Sequence, residues 1–441
     1  MATQALADWA VALTFTSLPP ETIHAAIRSF YNWAGCTIGG STHPATTIAR
    51  TALARFSGPP TSRLLGAPDA HAVDAMNAAL LNGIASHVHD YDDTHLDTII
   101  HPTGPVASAL LAIAQTLDRP ISGSEFLTAL VVGIEAECKV GLAVWPSHYD
   151  VGWHITGTTG SIGAAVAVAK LLGLSAGQTA HAIGIAATQV TGLREMFGSH
   201  TKSFHAGRAA QNGLLAAVLA EQEYTSSVQA LEAKRGWASV VSAAHDLEAQ
   251  MATLGAAGRW EIERNAFKPF PCGIVVHPVI DGLNQVREIE ARVHPLVVEL
   301  TGKTAPKDGL EGKFSVYHGG AVGVLFGKAT PAQYEDEVVA DPRVVSVRER
   351  ITVTVDTTIR SDECHLVVRV DGEEGRGEMV IEKHVDHAVG SLERPMTDEQ
   401  LKTKFKDQCA SILGQERTEK ASQWCWSLDK AVDIRQIKDI L

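Results

Sequence analysis

Gly160-Ser-Ile-Gly-Ala-Ala-Val-Ala-Val-Ala-Lys-Leu-Leu172 is the stretch on which the fold class turns. Its apolar residues recur at three- and four-residue spacing, the repeat of a buried helix. Its Gly and Ala residues let helix backbones come into close contact. Gly173 supplies a stop and Ser175 the start of another helix. Thr128-Ala-Leu-Val-Val-Gly-Ile-Glu-Ala-Glu-Cys138 repeats the pattern, and the chain up to about residue 255 reads as helices joined by short turns. A dense all-α body is expected.

The period changes after Trp260. Ile351–Val355 and Cys364–Val370 alternate with period two, Asp371-Gly372 is a turn signal, and Gly377–Lys383 reads as another strand. Leu296–Leu300 is a weaker strand candidate, and Gly312–Phe326 reads as helix between them. Thr397-Asp-Glu-Gln400 is a capping box that restarts helix through Leu413, and a last helix runs toward Leu441. The expected division is a helical domain over 1–265, completed by the helices of 397–441, and an α+β unit over 266–396.

A chain of 441 residues suits two or three domains. The apolar share of 45% and charged share of 20% are those of an ordinary globular chain. A net charge of −13 argues against broad nucleic-acid or acidic-membrane binding, so an anionic ligand would need a local cluster of bases. No Lys or Arg precedes Arg28, the last residues are no peroxisomal signal, and no apolar run approaches a bilayer span, Phe126–Ile134 reading as a short buried helix. A cytoplasmic location is expected. The six cysteines (36, 138, 272, 364, 409 and 425) have neither zinc nor iron–sulfur spacing and read as reduced, buried side chains.

The densest polar stretch is His87-Val-His-Asp-Tyr-Asp-Asp-Thr-His-Leu-Asp-Thr-Ile-Ile-His-Pro-Thr-Gly104. It holds the carboxylates of Asp90, Asp92, Asp93 and Asp97 and the imidazoles of His87, His89, His95 and His101. Such a cluster suits a metal site, as in a metal-dependent phosphohydrolase, or a metal-free site in which a carboxylate orients a proton-moving histidine. The plain alternative is a solvated turn.

Two further stretches supply local basicity. Gly198-Ser-His-Thr-Lys-Ser-Phe-His-Ala-Gly-Arg208 puts Lys202 and His205 at i,i+3, with Arg208 a further turn on. Phe267-Lys-Pro-Phe-Pro-Cys-Gly-Ile-Val-Val-His277 presents Lys268 on a rigid extended segment, because its prolines exclude regular helix. Either lysine alone reads as a solvated surface group, but two in Gly/Pro-shaped loops of an acidic chain point to a carboxylate or phosphate ligand. Gly157-Thr-Thr-Gly-Ser-Ile-Gly163 lacks the ending of a phosphate loop and reads better as tight helix packing. His154 stands just before that helix, where the dipole disfavours a charged ring, and a loop-bonded structural histidine is an equal reading.

His89-Asp-Tyr-Asp-Asp-Thr94, His101-Pro102, the His154 segment leading into Gly160-Ser-Ile-Gly-Ala-Ala165, Lys202-Ser-Phe-His-Ala-Gly-Arg208, Lys268-Pro-Phe-Pro-Cys272 and Lys313-Phe-Ser-Val-Tyr317 occur in this order. Together they resemble the MmgE/PrpD family, whose members include 2-methylcitrate dehydratases, cis-aconitate decarboxylases and iminodisuccinate epimerases. The resemblance implies a mainly α fold, a large all-helical domain plus a smaller α+β lid domain, with the active site between them. It implies a homodimer, no metal and no organic cofactor. By it, Asp90, His101, His154, Lys202, Lys268 and Tyr317 are the catalytic candidates. Thr94 is carried over with them and, with His205, Arg208 and Cys272, makes the substrate-binding set. Where the family's decarboxylase has a histidine, this chain has Gly273.

The chemistry shared by such a family makes or consumes a carbanion-like centre beside a carboxylate. Lys202, Lys268 and, if protonated, His101 would stabilise the extra charge; His154 or Tyr317 would move the proton; Asp90 would orient His101. The leading expectation is a cofactor-independent dehydratase of a citrate-like or 2-alkylcitrate-like tricarboxylate. A cis-aconitate-type decarboxylase, an epimerase of an imino- or amino-dicarboxylate and a non-catalytic dicarboxylate-binding protein are the alternatives. The expected partner is a small di- or tricarboxylate, with neither nucleic acid nor membrane.

Overall fold

A computed structural model describes residues 1–67, 71–256, 258–277, 280, 288–370 and 379–440. The fold is mainly α. Its body is built on α1 (Pro20–Gly40), α2 (Ala75–His87), α3 (Thr103–Ala114), α4 (Gly123–Val144), α5 (Ile155–Leu172) and α6 (His200–Glu221). Helix α5 runs through the middle, packed on α3, α4 and α6. Ser175 caps the next helix and Gly173 closes α5 at φ +71°.

The small residues of these helices set how closely they pack. A Cβ on Gly163 of α5 would lie 2.7 Å from the Glu137 Cβ of α4, and one on Gly83 of α2 would lie 2.5 Å from the Gly207 Cα of α6. Glycine inside a helix costs about 1 kcal/mol relative to alanine, and here backbone-to-backbone contact offsets it. By length and hydropathy Ile155–Leu172 could cross a membrane, which amends the expectation that no apolar run approaches a span. The span counts Ile155–Thr159 together with the Gly160–Leu172 run, and 89% of it is buried inside the fold.

Beyond the body lies a four-stranded sheet of β1 (Glu288–Val293), β2 (Ile351–Val355), β3 (Cys364–Val370) and β4 (Met379–Val385), in the order β2-β1-β3-β4. β1 pairs in parallel with β2 and antiparallel with β3, which pairs antiparallel with β4. The turn signal Asp371-Gly372 and Gly377 lie outside the described residues. Leu296–Leu300, expected as a strand, is helix: α7 spans Pro295–Thr301, with Pro295 in its first turn and the His294 ring accepting the Leu296 N–H. A short apolar run cannot separate the two by periodicity. The strand is the preceding Glu288–Val293, whose residues alternate exposed and buried. The helix expected over Gly312–Phe326 is α8, Val316–Phe326, capped by Ser315 and preceded by the short turn Gly309–Gly312.

Thr397 accepts the Gln400 N–H in the expected capping box and starts α9 (Asp398–Leu413); α10 (Gln415–Trp426) follows. Leu401, Phe405 and Cys409 of α9 pack into the core of the helical body, whereas Cys272 to Val385 supply a second core around the sheet. On these two cores we propose the division 1–265 with 397–441, and 266–396, although Phe267 and Met396 at the edges of the second unit pack into the first core.

Candidate active site

Helix α2 ends at His87, and the chain then turns sharply through the Asp/His stretch, with Asp90 at φ +51° and Ile99 at φ +60°. A β-branched residue in this region is strained by about 1–3 kcal/mol, and such strain concentrates at working sites. Thr94 and His95 pair antiparallel with Ala266 and Asn265, which lays the Lys268 segment beside the Asp90 turn. Lys404 of α9 joins the two segments from behind. Its buried ammonium donates to the Tyr91 and Lys268 carbonyls (2.6 and 2.8 Å) and to Asn32 Oδ1 (2.8 Å).

The result is a cluster of buried charge. Asp90 Oδ1 lies 2.6 Å from Lys202 Nζ and 3.1 Å from Lys268 Nζ, and Lys268 also donates to the Asp90 carbonyl (3.2 Å). Burial alone would raise the Asp90 pKa, but Lys202 and Lys268 outweigh it and hold the carboxyl well below its usual range. Burial lowers Lys202, with Asp90 opposing. The Lys202 ammonium also sits 5.3 and 5.5 Å from the Phe197 and Phe314 ring centres and 3.0 Å from His87 Nε2. One carboxylate thus faces two ammonium groups.

Burial disfavours the charged form of the histidines around the cleft. His101 Nδ1 lies 2.7 Å from the Asp93 carbonyl oxygen, which can only accept, so Nδ1 carries the proton and Nε2 keeps its lone pair. Burial holds the His101 pKa at about 3. The expectation that Asp90 orients His101 is therefore corrected: the Asp93 carbonyl does so, with Thr94 Oγ1 at 3.3 Å and Asp92 at 3.7 Å. The left-handed turn at Asp90 gives its carboxylate to the lysines instead. His154 caps α5; burial and then Lys202 push its pKa well down, and its Nδ1 meets His205 Nδ1 at 2.9 Å. Behind these rings His87 bonds Asp92 (2.7 Å). Asp93 is pushed up to about 7 by burial and by Asp92, while its Oδ2 accepts from Thr103 Oγ1 and Asn265 Nδ2, both at 2.6 Å.

A cavity opens on this cluster. Its polar wall is Asp90, Thr94, His101, His154, Lys202 and Lys268; its less polar wall is Ile99, Tyr149, Phe197, Val275, Leu300 and Phe314, completed by Gly273 and Thr301. Residues 273–314 come from the sheet unit and the others mostly from the helical body, so the cavity is a cleft between the two. The cavity has a volume of only about 50 Å³. That is room for a few waters, so a citrate-sized molecule requires the two sides to part. A larger groove of about 830 Å³ around Tyr224 has, among the described residues, Arg235 as its one charged lining residue and no histidine, so it offers no comparable chemistry.

The other candidates fall elsewhere. His205 stands one layer behind His154. The Arg208 guanidinium bonds Gln211, one turn along α6. Cys272 is buried in the second core, with burial pushing its thiol up to about 12. Tyr317 packs against the same core and does not line the closed cavity. Sequence reasoning missed the apolar wall, which carries no titratable signature, and Lys404, which reads as a surface lysine. His87, His101 and His154 offer ring nitrogens within 4.8 Å of one another, as a metal would need. However, His87 already has Asp92 on Nδ1 and the Lys202 ammonium on Nε2, and a divalent ion would share that space with a cation. The arrangement suits acid–base chemistry better.

A closed cleft holding buried imidazoles beside paired lysines has the makings of an acid–base enzyme. The profile of the MmgE/PrpD N-terminal domain matches residues 4–250 and that of the C-terminal domain residues 270–428, and the chain belongs to the MmgE/PrpD family. It is 24% identical to a cis-aconitate decarboxylase-like protein of Aspergillus oryzae over 99% of this chain and 96% of that protein. It is also 24% identical to the cis-aconitate decarboxylases of Aspergillus terreus (100% and 95% covered) and Homo sapiens (96% and 91%).

Proposed function

We propose that this chain is a lyase that dehydrates a citrate-like or 2-alkylcitrate-like tricarboxylate by proton transfer at the carbon next to a carboxylate. The observation that carries this reading is the pair of buried ammonium groups, Lys202 and Lys268, sharing one carboxylate oxygen in an apolar cleft. The surplus positive charge suits a substrate carboxylate. When a neighbouring carbon loses its proton, that carboxylate takes on a second negative charge, and a preorganised cation at that point is worth roughly 3 kcal/mol. The unprotonated Nε2 of His101 accepts the proton from carbon. The imidazolium so formed passes that proton to the departing hydroxyl, which His154 hydrogen-bonds, so the C–O bond breaks, water leaves and His101 returns to its starting state. Ile99, Val275 and Leu300 give an alkyl substituent a dry surface, at about 0.8 kcal/mol per buried methylene.

Decarboxylation of a cis-aconitate-like substrate is the second reading, favoured by the names of relatives that match end to end. Against it stands Gly273. A Cβ built there would lie 2.9 Å from Thr301 Cγ2, so the space for a side chain is already taken by a methyl group. The test is incubation with 2-methylcitrate, cis-aconitate and a chiral imino- or amino-dicarboxylate in deuterated water, followed by NMR. Loss of hydroxyl from the first supports dehydration; carbon dioxide from the second, or deuterium exchange without net loss in the third, replaces it; inertness toward all three removes the family chemistry.

A further inference from the structure

Outside the cleft lining, the outer face of the sheet carries a second cluster of coordinating side chains. His365 on β3 and His384 on β4 stand directly opposite each other in the antiparallel register. Their rings stack with centroids 4.1 Å apart and planes 16° from parallel. Glu363, two residues before His365, turns Oε1 toward both: it lies 3.2 Å from His365 Nε2 and 2.8 Å from His384 Nε2. The three atoms lie within 4.8 Å of one another.

We propose that Glu363, His365 and His384 form a binding site for a divalent transition metal ion of the zinc, nickel or copper type. Bonds of about 2.0–2.1 Å in a tetrahedral site put neighbouring ligand atoms about 3.3 Å apart, near the 3.2 and 2.8 Å that separate Glu363 Oε1 from the two ring nitrogens, and the stacked rings, half-exposed, would tilt to bring both lone pairs onto the ion. Two imidazoles select these ions over magnesium and calcium, which take oxygen ligands. The second oxygen of Glu363 accepts the Arg360 backbone N–H at 3.2 Å, with Arg360 Nη1 at 3.5 Å, and this outer contact fixes the carboxylate with Oε1 facing the rings. Side-chain exposures of 32% for His365 and 47% for His384 leave a coordination position open to water. The neighbouring group of Asp362, His387 and Glu393 suits an ion less well. It offers one imidazole against the two of the first group.

The site lies on the face opposite the second core, to which Cys364, Leu366 and Val368 contribute, so it touches none of the proposed catalytic groups. Because β4 is the sheet's edge strand, a bound ion would staple β4 to β3 and stabilise the folded form in proportion to its concentration over its Kd.

The experiment is a titration of chelator-stripped full-length protein with Zn²⁺, and separately Ni²⁺, read by calorimetry and by Tm. The wild type is expected to bind roughly one equivalent more than His365→Ala/His384→Ala, and its Tm is expected to rise with metal where the double variant's does not. His387→Ala is expected to behave as wild type. In the wild type, Ni²⁺ below one equivalent is expected to broaden the NMR signals of the His365 and His384 rings before those of other histidines, a readout that needs no variant. Equal stoichiometry and affinity in wild type and double variant, loss of the equivalent in His387→Ala, or broadening that begins at other histidines overturns the proposal.

Discussion

Replacing Lys268 with Met keeps the length of the side chain and removes one of the two ammonium groups that share Asp90. What remains is a neutral Lys202–Asp90 pair, and the cleft loses its surplus positive charge. A carboxylate about 4 Å from an ammonium gains about 4 kcal/mol at an effective dielectric constant near 20. Part of that is already felt by the bound substrate; the part that grows as the carbon loses its proton is roughly 3 kcal/mol. At about 1.4 kcal/mol per factor of ten, kcat/KM is expected to fall on the order of 100-fold. Stability should change far less. The lost donation to the Asp90 carbonyl costs about 1 kcal/mol; Asp90 loses the Lys268 ion pair but keeps that with Lys202, and relief of repulsion between the two ammonium groups works against the loss. The assay is the steady-state rate of double-bond formation from 2-methylcitrate, read in the ultraviolet, beside a denaturant titration. A folded Lys268→Met protein within about threefold of the wild-type kcat/KM would refute the reasoning.

Four further outcomes are expected. Gly273→Ala should cost about 1–3 kcal/mol through contact with Thr301 Cγ2, and Thr301→Ser, which deletes that methyl, should restore most of it in the double variant; additive losses by denaturant titration contradict the contact. Burial holds His101 at about 3 and His205 at about 4, below the ordinary histidine value, so the unfolded chain binds more protons between those values and about 6.5. Their contribution is present above pH 6.5 and is lost as pH falls toward 3, which a denaturant midpoint followed against pH and compared with His205→Asn checks. Asp93 has the opposite sign. Its carboxyl is raised to about 7, so its contribution is present below about pH 4 and is lost as pH rises through 7, and Asp93→Asn should raise Tm more at pH 8 than at pH 5. Tyr317→Phe should keep turnover within about threefold, because its ring packs in the second core; a 100-fold loss in kcat would mean that the hydroxyl reaches substrate when the cleft rearranges.

The helical body was legible because helix spacing is local: the Gly and Ala residues of 160–172 announced close packing, and Gly163 and Gly133 lie at that contact. The strand at Glu288–Val293 was not, because a six-residue alternation of charged and apolar residues is easily passed over beside the more apolar Leu296–Leu300 run. The site shows the same limit. Asp90, Lys202 and Lys268 are separated by 112 and 178 positions from Asp90 to each lysine, and only the family motifs linked them before the fold did. Spacing could not reveal that a left-handed turn aims Asp90 at the lysines and leaves His101 to a carbonyl. The apolar wall was illegible because Phe197, Leu300 and Phe314 resemble any other core residue until the two sides of the cleft face each other.

The most direct test is a crystal structure of the protein soaked with citrate. One citrate carboxylate is expected within about 3 Å of both Lys202 Nζ and Lys268 Nζ, with a methylene carbon facing His101 Nε2. Citrate seated in the groove around Tyr224, or a cleft in which the two lysines turn away from it, would contradict the account.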